Sequence, residues 1–254
     1  YDAGHTLLKP RADREEVWDF LAHQLGVEIA VERRGDFPEV GPFYYARLGG
    51  AGLGAYSSDA EARRFWSEYY AHALREAGVD LPREELLSAG EAVYDWYKDP
   101  AQWEPFPDVI EALIAAERRG YIQGIVSDWG TDLLAIAHAH ELTDHLDFVV
   151  ASANVGVSKP SPEIFRFALE RAGLKPSEAV YVGDSYVADI LGAEAAGIQP
   201  ILIDREGRAP RVPVPVVRSL TDVLPLIERL ERERRGPAAE PSGGRERSGE
   251  RARR

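Results

Sequence analysis

Four short apolar runs, each followed downstream by a helical pattern, fill the second half of the chain and constrain its fold more than any other feature. They are "YIQGIVS" (121–127), "LDFVVAS" (146–152), "AVYVGD" (179–184) and "PILID" (200–204). Between and after them lie "TDLLAIAHAHEL", "SPEIFRFALERAGL" (161–174) closed by Gly173, "VADILGAEAAG" (187–197) ended by Gly197, and "LTDVLPLIERLERE" (220–233). Apolar, β-branched runs of this length are strands buried on both faces. Their alternation with helices predicts a parallel α/β sheet of the Rossmann-like kind.

Residues 10–105 are patterned differently. "ADREEVWDFLAHQLG", "SSDAEARRFWSEYYAHALREAG" and "REELLSAGEAVYDWYKD" repeat apolar residues at helical spacing, with no convincing strand among them. The expected organisation is a core formed by residues 1–9 and 106–231, interrupted at 10–105 by an all-helical cap. The last residues, 232–254, carry eight Arg against four Glu, are rich in Gly, Pro and Ser, and show no apolar periodicity, which predicts a disordered basic tail. Their balance of +4 leaves −17 of the total −13 on the rest of the chain. So acidic a body argues against a nucleic-acid partner. No apolar stretch approaches the roughly 20 residues of a membrane span, which predicts a soluble, cytoplasmic protein acting on a small molecule; oligomeric state is not legible. With no Cys, a thiol nucleophile, a disulfide and a thiolate metal site are all excluded. No Met occurs either, even at position 1, so the recorded sequence is expected to begin downstream of the natural start.

Open α/β sheets place their sites in the loops at the carboxyl ends of the strands. Those loops offer Asp2-Ala-Gly-His-Thr6, then Ser127-Asp128, then "VSKPSPEIF" with Lys159, then "VYVGDSYVAD" with Asp184 and Asp189. Together they supply a carboxylate nucleophile, a hydroxyl donor, a cation and hard oxygen ligands, the parts that phosphoryl transfer requires. In these four motifs, in their order, and in the helical insert after the first, the chain resembles the haloacid dehalogenase-like hydrolase superfamily, in its branch with a helical cap near the N-terminus.

The resemblance implies an aspartyl intermediate on Asp2, with Ser127 on the transferring group and Lys159 neutralising charge. It implies Mg²⁺ held by Asp2, Asp184 and the carbonyl of Gly4, with Asp189 in support, and a small phosphorylated substrate. Asp128, Trp129 and His5 are further candidates for contact with the substrate. Phosphatases of this kind usually read Asp-x-Asp-Gly-Thr, the second Asp protonating the leaving group; here that place is Gly4, followed by His5. A glycine keeps a carbonyl for a metal but has no proton to give. General acid–base help is worth about 10² to 10⁴ in rate, or about 3 to 5 kcal/mol. Alkyl esters would suffer most from the loss, aryl and acyl phosphates less. Three expectations follow: a phosphohydrolase of narrow scope, with His5 or a cap residue as substitute acid; a carbon–halogen hydrolase, whose halide leaves without a proton; or a member that binds without turnover. A buried strand also leads into the nucleophile in this family, whereas only Tyr1 precedes Asp2 here.

Other signals read as structure. "LGGAGLGAY" (48–56) lacks a preceding strand and the spacing of a phosphate loop, so a cap loop is expected, with Tyr44, Tyr45 and Tyr56 as possible lid contacts. His138, His140 and His145 lie at helical offsets that point to different sides. Trp18, Trp66, Trp96 and Trp103 are expected to pack the cap and its hinges.

Overall fold

The structure, a computed structural model, describes residues 1–38, 40, 43 and 56–235. Tyr44, Tyr45 and all of the glycine-rich loop before Tyr56 lie outside these residues, as does 236–254. The parallel strands are β3 (Gly124–Ser127), β4 (Phe148–Ala151), β5 (Val180–Gly183), β6 (Gln199–Ile203) and β7 (Val216–Val217). β3 pairs with β4, β5 with β6, and β6 with β7. The two ladders meet through the first residues of the chain. Tyr1 donates its amino group to the Gly124 carbonyl at 2.8 Å and accepts the Val126 N–H at 2.8 Å, while Asp2 donates to the Val182 carbonyl at 2.9 Å.

Side chains alternate across this sheet as the period of two requires. Ile125 and Val182 pack with Leu7, Leu113, Leu133 and Ile201 on one face, whereas Val126 and Tyr181 pack with Ile164, Phe165 and Ile198 on the other. Both faces are covered by helices: α4 (Val109–Glu117) precedes β3, while α5 (Leu133–Ala139), α6 (Pro162–Ala172) and α7 (Val223–Arg235) follow β3, β4 and β7. The fold is α/β, a Rossmann-like parallel core with a helical insertion. α7 continues through Arg235, so the first four residues expected in the disordered tail are helical, since the apolar face of "LPLIERL" carries the helix past its last buried turn.

The insertion is built from α1 (Arg14–Leu25), α2 (Asp59–Glu76) and α3 (Arg83–Trp96). A reciprocal capping box starts α1: the Asp13 carboxylate accepts the Glu16 N–H, and the Glu16 carboxylate accepts the Asp13 N–H. α2 and α3 lie against each other closely enough that a Cβ on Gly90 would sit 2.5 Å from the Ser67 carbonyl oxygen. Their apolar faces bury Val17, Trp18, Leu21, Tyr70, Leu74, Leu86 and Val93 in a cluster separate from those of the sheet. Strands unforeseen in the sequence frame the insertion: β1 (Leu8–Pro10) and β2 (Trp103–Pro105) pair antiparallel, Leu8 opposite Pro105 and Pro10 opposite Trp103. Among the described residues no helix is long and apolar enough to cross a membrane.

Candidate active site

Asp2 is placed by backbone. Its N–H is tied to β5 and the preceding carbonyl to β3, which sets the carboxylate between the ends of the two strands that carry Ser127 and Asp184. The following loop is closed by the Leu7 and Leu8 N–H groups on the Ala3 carbonyl, both at 2.8 Å, and His5 adopts a left-handed backbone with φ of 56°. Ser127 Oγ donates to Asp2 Oδ1 at 2.8 Å, and Lys159 Nζ donates to the same oxygen at 2.6 Å. Lys159 also donates to Asp189 Oδ1 at 2.6 Å.

Asp189 reaches this cation because residues Tyr186–Leu191 form one wide turn that folds its carboxylate back over Gly183. A Cβ on Gly183 would lie 2.4 Å from the Asp189 carboxyl carbon, so only glycine admits the approach. The second Asp189 oxygen accepts the Ser185 N–H at 2.8 Å. Tyr181 Oη lies 3.3 Å from both Lys159 Nζ and Asp189 Oδ1 and donates to the Val126 carbonyl at 2.6 Å. Tyr181 was not among the residues that the sequence singled out; the signal for it is a tyrosine hydroxyl in an otherwise apolar strand, which needs a partner.

Lys159 offsets part of the negative charge buried here. Burial alone would lower the Lys159 ammonium, but Asp189 and Asp2 hold it well above its usual value. Desolvation raises the Asp189 carboxyl against the pull of Lys159. Asp184 is the outermost acid of the group, and desolvation by the protein around it, then the negative charges of Asp2 and Asp189, push its carboxyl well up. Thr6 Oγ1 donates to Asp184 Oδ1 at 3.5 Å. Carboxylate oxygens of Asp2, Asp184 and Asp189 lie within 4.8 Å of one another. Three carboxyls crowded this closely against one ammonium form an all-oxygen donor set with a negative balance, suited to a hard divalent cation.

A cavity of about 650 Å³ opens from these residues into the cap. Asp128 and Trp129 line it beside Gly4 and His5. Asp128 Oδ1 accepts the Lys159 N–H at 2.8 Å, and desolvation, against Lys159, pushes its carboxyl up to about 7. Desolvation lowers His5 against the charges of Asp2 and Glu206. Trp129 donates Nε1–H to Asp132 Oδ2 at 3.3 Å and packs on Trp103, the ring centres 4.5 Å apart. Trp66 and Trp103, expected only to pack, line the cavity as well, whereas Trp18 and Trp96 stack on Phe37 and Phe20. Tyr56 also lines the cavity, and its carbonyl accepts the Ser152 hydroxyl at 2.7 Å. Asp59, Asp132 and Tyr94, absent from the sequence reading, meet at Gly130: Thr131 donates N–H and hydroxyl to Asp59 at 2.8 and 2.6 Å, tying α2 to the loop after β3. The three histidines each have separate partners, Thr143, the Pro100 carbonyl and Glu117.

The sequence profile of the haloacid dehalogenase-like hydrolases matches residues 2–197. A mouse protein, haloacid dehalogenase-like hydrolase domain-containing protein 3, is 32% identical over 176 residues, 67% of this chain and 70% of its own length. A phosphoserine phosphatase of Thermus thermophilus is 30% identical over 228 residues, 80% of this chain and 87% of its own. Among solved structures, the HAD-hydrolase YfnB of Bacillus subtilis, bound to magnesium, superposes with a TM-score of 0.69 at 16% identity, covering 89% of this chain and 96% of that one, a likeness of fold.

Proposed function

This chain belongs to the haloacid dehalogenase-like hydrolases, and on that premise we propose that it hydrolyses a small phosphorylated molecule through an aspartyl-phosphate on Asp2, with Mg²⁺ as cofactor. The observation that carries the reading is Lys159 Nζ at 2.6 Å from both Asp2 and Asp189, next to an all-oxygen donor set. The residues present fit the ion: Asp2, Asp184 and the Gly4 carbonyl would hold it, and when bound it would neutralise charge on the phosphoryl oxygens. Asp189 has both oxygens engaged, by Lys159 and by the Ser185 N–H, so its part is to orient Lys159 and support the acidic group from behind.

Ser127 and Lys159 converge on Asp2 Oδ1, which fixes the carboxylate and presents Oδ2 for attack on phosphorus. Once Asp2 is esterified, the same two donors are placed to turn toward the transferred phosphoryl group. The phosphatase names among the relatives support a phosphorylated substrate. Gly4 favours a second reading, carbon–halogen hydrolysis, because halide leaves without a proton; the donor set around Asp184 weighs against it, since that reaction needs no cation there.

The test is phosphate release from p-nitrophenyl phosphate with and without Mg²⁺, against an Asp2→Asn control. Release that needs both Mg²⁺ and Asp2 is expected. Release no greater than that of the control overturns the phosphohydrolase reading.

A further inference from the structure

The wall of the cavity above Asp2 is aromatic. Phe37, Trp66, Tyr70, Tyr97, Trp103 and Trp129 all line it, coming from the segment after α1, from α2, from the end of α3, from β2 where the cap rejoins the core, and from the loop after β3. At about 650 Å³ it lies within the range of sites that enclose a small organic ligand, and walls of this kind hold flat apolar groups by stacking and edge contacts. Tyr94, only 8% exposed, lines the same cavity, and its hydroxyl has no hydrogen-bond partner among the described residues; Asp13, Arg14, Lys98 and Asp132 are the charged side chains set among these rings.

The second observation concerns protons. Ser127 and Lys159, the two donors that touch Asp2, are both committed to its Oδ1. Position 4 has no side chain, and a Cβ there would meet Trp129 Cζ3 at 3.4 Å, so an indole ring bounds the space where a proton donor would stand. Asp132 lies across that ring, accepting from its Nε1–H. A site that gives an aromatic group room and has no side chain at position 4 to protonate its leaving oxygen suits one class of phosphate ester.

We infer that the substrate is an aryl phosphate, its ring held in the aromatic cavity and its phenolate oxygen departing unprotonated. This rests on the phosphohydrolase reading above and narrows it. Asp2 attacks phosphorus, and the bond from phosphorus to the aryl oxygen breaks, its electron pair leaving on the phenolate. Water then attacks the aspartyl-phosphate, the bond from phosphorus to Asp2 breaks, the carboxylate is restored, and both protons of the water leave on dihydrogen phosphate. A phenol ionises near pH 10, an aliphatic alcohol close to the 15.7 of water, so only the former is an adequate leaving group without acid help.

Three substrates separate the two halves of the inference on the full chain with Mg²⁺. 1-Naphthyl phosphate has both the ring and the good leaving group, 1-naphthylmethyl phosphate has the ring on an alkyl oxygen, and acetyl phosphate has the leaving group without a ring. The expected result is that 1-naphthylmethyl phosphate matches 1-naphthyl phosphate in affinity, read as KM or as the inhibition constant, with kcat lower by about 10² to 10⁴. Acetyl phosphate should turn over with KM raised at least tenfold. Equal kcat on the two naphthyl esters overturns the inference by showing that a protein group supplies the proton, and equal KM for acetyl and 1-naphthyl phosphate overturns it by showing that the cavity does not hold the ring. Either failure leaves the phosphohydrolase reading standing, whereas release from none of the three above the Asp2→Asn control removes both.

Discussion

Replacing Asp128 by Asn removes a carboxyl that the fold keeps protonated into the neutral range. An amide oxygen can accept the Lys159 N–H as Asp128 Oδ1 does at 2.8 Å, so the substitution keeps the loop and deletes only the titration. Desolvation, opposed by Lys159, displaces this carboxyl from 3.8 to about 7. A group whose folded pKa is raised binds its proton more tightly folded than unfolded. Its stabilising contribution is therefore full below the unfolded value and is lost as pH rises through about 7. At 1.36 kcal/mol per pH unit, that displacement sets a ceiling of about 4 kcal/mol. The side chain is half-buried and faces the cavity, so solvent screening brings the expected effect to about 2 kcal/mol. Urea unfolding of both chains without divalent ions, from about pH 4.5 to about pH 8, reads it directly, because every other titration is common to the two and subtracts. The Asp128→Asn chain should gain about 2 kcal/mol on the wild type across that window. A difference that stays flat would refute the reasoning, since it would mean that Asp128 ionises alike in the folded and unfolded chain.

The acidic group predicts stabilisation by metal: Mg²⁺ at a hundredfold its dissociation constant should add about 2.7 kcal/mol, seen as a rise in Tm by calorimetry, and Asp184→Asn should remove most of it. Lys159→Met leaves the carboxylates of Asp2 and Asp189 buried without their cation, so it should cost about 3 to 5 kcal/mol in urea unfolding near neutral pH, more than a surface lysine would. Gly90→Ala drives a Cβ to 2.5 Å from the Ser67 carbonyl oxygen, a backbone atom that cannot swing aside, so α2 and α3 must separate. The expected loss is about 1 to 3 kcal/mol, with the Mg²⁺-dependent rise in Tm unchanged.

What the sequence disclosed and what it withheld divide along physical lines. β3 to β6 were legible because strands buried on both faces are apolar throughout and each is punctuated by glycine, proline or a polar residue. β1 and β2 were not: each has three residues, each ends in proline, and Pro10 and Pro105 read as breaks in a pattern when they are ends of an edge pair. The residues 187–197, read as a plain helix, begin as a wide turn, since the carboxylate of Asp189 must reach back to Lys159 and a regular helix would aim it elsewhere. As candidates, Ser127 and Asp184 were legible because each stands where a strand ends, a place that local pattern fixes; Asp2 and Lys159 end no strand of the structure and were legible only from the order of the four motifs. Phe37, Trp66, Tyr70 and Tyr97 could not be assigned to a cavity, because their meeting depends on how three helices cross.

Those same rings explain why selectivity and stability are joined in this cap. Phe37 stacks on Trp18 at 4.7 Å and meets Tyr70 edge-on at 5.6 Å, and Tyr70 in turn lies 6.0 Å from Trp66, so one aromatic network forms both the cap core and the cavity wall. Tyr70 is 7% exposed and packs inside the cap cluster; cutting it to alanine would empty core volume and cost about 3 to 5 kcal/mol, as for a large buried aromatic. A loss of activity there would therefore report unfolding as readily as altered binding. Trp66 packs at the edges of that cluster and of the one around Tyr56 and Phe65, and shortening it to leucine keeps part of its apolar contact with the helices while opening the wall. A rise in KM for a ringed substrate with a small fall in Tm belongs to Trp66→Leu, and the same rise with a much larger fall in Tm belongs to Tyr70→Ala.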